Sequence, residues 1–405
     1  MSETVEAKIK CELCGEMMHV VKSHLTKSHP GVTLVDYREK FPAALLISDL
    51  AVAQLRALQG PKFDEYIKMA TTDDPKPIVS SATAVTADFA TGIEFVKRPL
   101  FELFGFPDTH PEMRRDKGKG APIEITTFKN VPHPEMVPDI NANYVHDIND
   151  LKDSLMALEE NMPLYVYGHK GTGKTEMVED ICARTGRPLL RVQHTANTEE
   201  SQIVGQWTAH DGSTNFELGP LPLCMINGWT YLADEYDFAL PHVTSVYQAV
   251  LEGKALFIKE ANAGNRLIKP HPGFRFVATG NTNGSGDETG LYAGTNIQNS
   301  ANFDRFAMMI HKKYLPSDAE IRILMNHTGL KQSDAAKLIQ FAEMVRNAYE
   351  GRKISDTIGP RALLNIAKIG MRRGSYRAGV ERSFSAKLNR VDAEAVNQMA
   401  QRIFG

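Results

Sequence analysis

Gly168-His169-Lys170-Gly171-Thr172-Gly173-Lys174-Thr175 is a complete G-x-x-x-x-G-K-[ST] run. The glycines let backbone N–H groups curl around phosphate oxygens. Lys174 supplies a point charge at the β and γ phosphates, and Thr175 offers a hydroxyl to Mg²⁺. The context agrees. The apolar run PLYVYG (163–168) leads into the loop, and the helical pattern TEMVEDICARTG (175–186) follows, with Gly186 as its stop signal. A helix there puts its positive N-terminal end at a bound anion.

The same alternation of short apolar strands with helices extends from about 136 to 315. PLLRVQ (188–193), TYLADE (230–235), FRFVATGN (274–281) and RFAMMIHKKY (305–314) read as further strands. This pattern predicts βαβ units and a parallel sheet sandwiched by helices, an α/β fold. From 317 to 403 the pattern is helical, which predicts a smaller helical lid with Ser317 and Ser333 as N-caps. The predicted domains are a zinc-finger-like unit (1–56), a connector (57–135), the α/β domain (136–315) and the lid (316–405). In the connector, the apolar run RPLFELFGF (98–106) either docks on a neighbouring domain or subunit or packs on its own local core.

The strand WTYLADE ends in Asp234-Glu235, about 60 positions after the glycine loop. Asp234 suits the Mg²⁺ shell, and Glu235 suits activation of the attacking water. Asn281 closes FRFVATGN and is either a plain turn residue or the polar residue that an AAA+ sheet sets between the two loops. Arg305, in NFDRF, is either a surface partner of Asp304 or an arginine that reaches a neighbouring subunit's γ phosphate. Arg361, in IGPRALLNIAK, is either an ordinary helix-start residue or a reporter of nucleotide state to the lid. The five elements occur in the order expected of one AAA+ module and lid.

The stretches VPDINANYVHD (137–147), YGHKGTGKTE (167–176), ADEYD (233–237), KPHPGFRFVATGNTNGSGDETGLYAGT (269–295) and NFDRF (302–306) carry a closer likeness. On them the chain resembles the MoxR branch of the AAA+ ATPases, and within it the ATPase subunits of aerobic-pathway cobaltochelatases. The likeness runs from about 136 to 370. It implies a homo-oligomeric ring, by family a hexamer, with ATP at the subunit interfaces. It implies a hairpin inserted near QWTAHDGSTNFELGP (206–220). It further implies a partner with a von Willebrand factor A domain, and a separate large chelatase subunit that holds the corrin during cobalt insertion.

Cys11 and Cys14, followed by His24 and His29, give C-x₂-C-x₉-H-x₄-H. Two thiolates and two imidazoles suit tetrahedral Zn²⁺, and a unit of about 45 residues is too small to fold well without such a staple. His19 falls outside the pattern and reads as a surface residue. With DYREKFP (36–42) the segment resembles the shorter fingers of the Ros/MucR regulators. Lys8, Lys10, Lys22, Lys27, Arg38 and Lys40 make it locally basic, which leaves open a nucleic-acid face or a solvated, protein-docking one.

Composition sets limits on these readings. The 405 residues are 42% hydrophobic and 23% charged, with a net charge of −3, so the whole chain carries no nucleic-acid footprint. Four cysteines are too few for a disulfide scaffold. The chain has neither a membrane-spanning apolar run nor a signal-like start, and the cytoplasm is the expected location. Two functions compete: a ring ATPase that remodels a partner complex, and a zinc-finger nucleic-acid binder with an ATP-dependent switch.

Overall fold

The structure, a computed structural model, describes residues 8–29, 32–42, 44–48, 51–52, 86–88, 93–210, 213–287 and 290–405. The chain divides into two compact units, Met1–Ala82 and Thr83–Gly405. Most of the first half of the expected connector, 57–85, lies outside the described residues.

Five strands form the central sheet of the larger unit: β1 (Leu164–Tyr167), β2 (Leu189–Gln193), β3 (Thr230–Asp234), β4 (Arg275–Gly280) and β5 (Met308–His311). Their order is β5-β1-β4-β3-β2, and every pairing is parallel. A parallel sheet needs cover on both faces, so its central strands β1, β3 and β4 are largely apolar and buried. Leu164, Val166, Leu232 and Val277 enter one core with Leu151, Leu155 and Ile181. Their strand neighbours Tyr165, Tyr231, Ala233, Phe276 and Ala278 enter the core on the other face. The order has a functional consequence. β4 lies between β1 and β3, so the loops leaving the C-terminal ends of these three strands meet. Open α/β sheets bind ligands at such an edge.

The helix after β1 spans Lys174–Thr185 and stops at Gly186, as the sequence predicts. Gly186 has φ +66°, and a Cβ there would sit 2.6 Å from the Phe128 carbonyl.

Residues 93–129 correct the expected connector. Ile93–Pro99 pairs antiparallel with Glu124–Lys129, and Thr86–Asp88 adds a third strand. The run RPLFELFGF forms the short helix Leu100–Phe104. Its Leu100, Leu103 and Phe104 are buried in the same core as Leu151 and Ile181, so the run docks on the ATPase body. Glu159 fastens the sheet to that body by accepting from Thr126 N at 3.0 Å and Thr126 Oγ1 at 2.8 Å.

Gly205–His210 and Ser213–Leu218 form an antiparallel hairpin between the helices Glu200–Val204 and Pro220–Asn227, where the resemblance expects an insertion. Residues 211–212 of its turn lie outside the described residues. The lid contains the helices Ser317–Thr328, Gln332–Glu350, Pro360–Arg373, Tyr376–Ser383 and Arg390–Phe404. They share a core of their own that includes Leu338, Phe341, Ile366 and Val396. The expected caps are corrected here. Ser317 and Ser333 lie inside their helices, and Pro316 and Lys331 hold the extended cap positions.

In the smaller unit, the two-residue strands Ile9–Lys10 and Met17–Met18 precede the helices Val21–Ser28 and Leu34–Lys40. Thr33 and Asp36 form a capping box at the second helix. Among the described residues no helix is long and apolar enough to cross a membrane.

Candidate functional site

A cavity of about 440 Å³ opens where the ends of β1, β3 and β4 meet. Lys170, Gly171, Gly173, Lys174, Thr175, Asp234, Glu235, Asn281 and Arg361 all line it. Gly168 turns the chain from β1 into the loop at φ +148°, where a Cβ would collide with the Lys312 carbonyl at 2.2 Å. Only glycine fits that approach.

Lys174 Nζ donates to Gly168 O at 2.8 Å, to His169 O at 3.1 Å and to Asn281 Oδ1 at 3.1 Å. It is therefore held at the cavity wall by acceptors that a phosphate oxygen can replace. Burial lowers its pKa to about 8, against the pull of Asp237, Asp234 and Glu235. Thr172 Oγ1 donates back to His169 O at 2.8 Å and closes the loop.

The Asp234 carboxylate is buried and fully engaged. Its Oδ1 accepts from Thr175 Oγ1 at 2.8 Å and also from Thr279 Oγ1. Its Oδ2 accepts from Arg191 Nε at 2.8 Å. The Thr175 hydroxyl and the Asp234 carboxylate therefore converge as adjacent hard oxygen donors, the set that Mg²⁺ takes. Glu235 adopts φ +54° and ψ +40°, a left-handed conformation that is uncommon outside glycine. Such backbones cluster at functional sites. Its Oε2 accepts from Gln193 Nε2 at 2.8 Å.

Asn281 is fixed through its backbone: its N–H donates to Asp237 Oδ2 at 2.9 Å. Arg361 begins the lid helix Pro360–Arg373 and faces the cavity across Gly171. A second P-loop tie to the lid is the ion pair between Lys170 Nζ and Asp356 Oδ1 at 2.6 Å. A smaller cavity of about 240 Å³ lies beside the loop, walled by Tyr144, Val145, Tyr314, Ile323 and Leu364. Asn143, Glu176 and His327 add polar groups to these apolar walls, a mixture that suits a flat heterocycle with polar edges.

Neither His169 nor Arg305 is among the residues lining the nucleotide cavity. The His169 side chain hydrogen-bonds Tyr292 and packs against Tyr314 and Tyr349. Arg305 lines a separate depression and donates from Nε to Glu252 Oε1 at 2.7 Å. Its sequence neighbour Asp304 is not the partner seen here.

Sequence reading missed Arg191, Gln193, Asp237 and Tyr292 as site residues. A cation in the otherwise apolar strand PLLRVQ was the one available signal for Arg191.

In the smaller unit the ligand atoms of Cys11, Cys14, His24 and His29 all lie within 4.8 Å of one another. Cys14 Sγ is 3.2 Å from His24 Nε2, and Cys11 Sγ is 3.9 Å from His29 Nε2. Ligand atoms of a tetrahedral zinc lie roughly 3.3–3.8 Å apart; the two pairs bracket that range, and two thiolates with two imidazoles are a donor set that zinc takes. His19 is apart from the cluster; it is half-buried and bonds Ser48 Oγ at 2.8 Å, which corrects the surface reading.

The comparisons with known proteins agree with this geometry. The family described as "AAA domain (dynein-related subfamily)" matches residues 163–293. The family described as "CbbQ/NirQ/NorQ C-terminal" matches residues 320–398, within the lid. The aerobic cobaltochelatase subunit CobS of Sinorhizobium sp is 29% identical over 315 residues, 75% of this chain and 93% of that protein. Gas vesicle ATPase GvpN of Ancylobacter aquaticus is 25% identical over 300 residues, 69% of this chain and 78% of that protein. Midasin of Dictyostelium discoideum is 30% identical over 209 residues, 51% of this chain, and the chain spans only 3% of midasin's length. A parallel sheet with the P-loop at its switch point, a helical lid and both family matches converge on one assignment: the chain is an ATP-hydrolysing AAA+ ATPase of the MoxR type.

Proposed function

We propose that the chain works as a closed ring, hexameric by family resemblance, in which each subunit completes its neighbour's catalytic site and hydrolysis drives a partner complex. The observation that supports this most is the location of Arg305, off its own nucleotide cavity while every other expected catalytic residue lines that cavity. An arginine in that position serves the γ phosphate of an adjoining subunit.

Within one subunit the roles divide by geometry. The glycine loop and Lys174 bind the phosphates. The smaller cavity beside Tyr144 takes the adenine. Thr175 and Asp234 would hold Mg²⁺, which when bound neutralises charge on the β and γ phosphates. Glu235, at the end of β3, orients the attacking water and accepts its proton. Asn281 positions that water while contacting Lys174. Arg361 carries the presence of the γ phosphate to the lid helix.

The partner reading follows from the resemblance. A protein with a von Willebrand factor A domain would receive the work, and cobalt insertion with a large chelatase subunit is the nearest known task. The net charge of −3 gives no support to a nucleic-acid track as the main substrate. The test is turnover per chain against chain concentration, with assembly mass read in parallel. Specific activity should climb steeply and level off as rings form. Full activity from isolated monomers would sink the proposal.

We also propose that Cys11, Cys14, His24 and His29 bind one structural Zn²⁺. Metal analysis should find one zinc per chain, and Cys11→Ser should lose it along with the fold of the small unit. ATP binding should survive, because the nucleotide cavity is built within the other unit. A metal-free chain whose small unit is fully folded would contradict the zinc role.

A further inference from the structure

The segment that leaves β4 returns to the turn after β3, and both of its ends are fastened to the same short stretch, Asp237 to Ala239. At its start, Asn281 N, Thr282 N and Thr282 Oγ1 donate to Asp237 Oδ2 at 2.9, 2.8 and 2.9 Å. At its return, Asn296 N donates to Asp237 O at 2.7 Å, and Asn296 Nδ2 donates to Phe238 O at 2.9 Å. Gln298, itself buried, donates to Ala239 O at 3.0 Å. Residues 288–289 of the segment lie outside the described residues.

Between these anchors Tyr292, only 8% exposed, reaches across to the P-loop. Its backbone is steadied by Asp287 Oδ2, which accepts from Tyr292 N at 2.6 Å. Its hydroxyl accepts the Lys170 N–H at 3.0 Å and lies 2.9 Å from His169 Nδ1. Burial, together with the nearby His311 and Lys174, holds the His169 pKa below its ordinary value. The ring is then neutral near pH 7, and its Nδ1 can accept the Tyr292 proton. In the tautomer with Nε2 protonated, the one hydroxyl accepts from Lys170 and donates to His169, consecutive residues of the phosphate loop. His169, through Tyr349, and Lys170, through Asp356, also meet the lid.

We propose that Tyr292 is a positioning residue for nucleotide binding: the strap 282–298 delivers its hydroxyl to His169 and Lys170 and sets the phosphate loop before nucleotide arrives. The proposal rests on the glycine loop being the nucleotide site. Preorganised donors bind better because less order has to be imposed on binding. Losing one or two such hydrogen bonds corresponds to roughly 5- to 30-fold in affinity. The loop holds phosphate in both the ground and transition states, so the loss belongs in KM rather than kcat.

The test is Tyr292→Phe, which keeps the ring and removes the hydroxyl. MgADP affinity should fall by roughly 5- to 30-fold. The KM for ATP should rise by a similar factor, with kcat within about twofold. The imidazole ¹⁵N signals of His169 should shift, which loss of packing elsewhere would not produce. Asn296→Ala removes the side-chain anchor to Phe238 O and loosens the base of the strap without touching Tyr292 or the glycine loop, and it should weaken MgADP in the same direction. Wild-type MgADP affinity in folded Tyr292→Phe overturns the proposal. Were that variant unfolded, wild-type affinity in Asn296→Ala would overturn it. A wild-type chain that binds no MgADP would instead remove the nucleotide-site reading itself.

Discussion

Glu235→Gln should still bind ATP with wild-type affinity while turnover falls by roughly 10²–10⁴-fold, the usual contribution of a positioned general base. The expectation follows from the site's construction. β3 delivers Asp234 and Glu235 in succession, and the turn at φ +54° separates their tasks. Asp234 is committed inside the protein to Thr175, Thr279 and Arg191. The Glu235 carboxylate accepts from Gln193 and lines the cavity. Glutamine matches glutamate in shape, so the loop, Lys174 and the metal-binding oxygens stay in place. What disappears is the lone pair that takes the water's proton. The measurement is ATP retention beside phosphate release, and undiminished hydrolysis would remove Glu235 as the base.

Arg305→Ala should cut turnover in the assembled ring by roughly 10³–10⁵-fold, the range for an arginine that neutralises transition-state charge. Its one ion pair, with Glu252, lies near the surface, and exposed pairs contribute little to stability. Loss of folding therefore does not account for the loss of rate, and the melting temperature should be nearly unchanged. Position gives a sharper version. An Arg305→Ala chain keeps an intact Glu235, and a Glu235→Gln chain keeps an intact Arg305. Where the second sits beside the first, one complete site is rebuilt. Mixing the two inactive chains should restore part of the activity. Failure to restore any at every ratio would place the arginine's action within its own subunit or deny it altogether.

Much of this site is legible before any coordinates, because its chemistry is local in sequence. The glycine loop, the acidic pair and Asn281 each stand at the end of an apolar run, and parallel strands covered on both faces make such runs nearly continuous. What escaped has partners far away along the chain. Arg191 meets Asp234 only because β2 pairs with β3, with Asp234 opposite Gln193. Asp237 works through Asn281 and Thr282, more than forty positions on. Tyr292 reaches back 123 positions to His169. The segment 93–129 misled for the same reason: Leu100, Leu103 and Phe104 find their neighbours in helices beyond 148, and no local periodicity reports that. The missed caps at Ser317 and Ser333 show the opposite limit, where a good local preference is overridden by where the chain turns.

Single turnover of γ-labelled ATP by the purified, fully assembled chain, run beside Lys174→Ala, addresses the core of this account. The wild type should retain labelled ATP and release its phosphate in the presence of Mg²⁺, and the Lys174→Ala chain should do neither. A wild-type chain that holds no label and liberates no phosphate would contradict the account, as would a Lys174→Ala chain that liberates as much as the wild type.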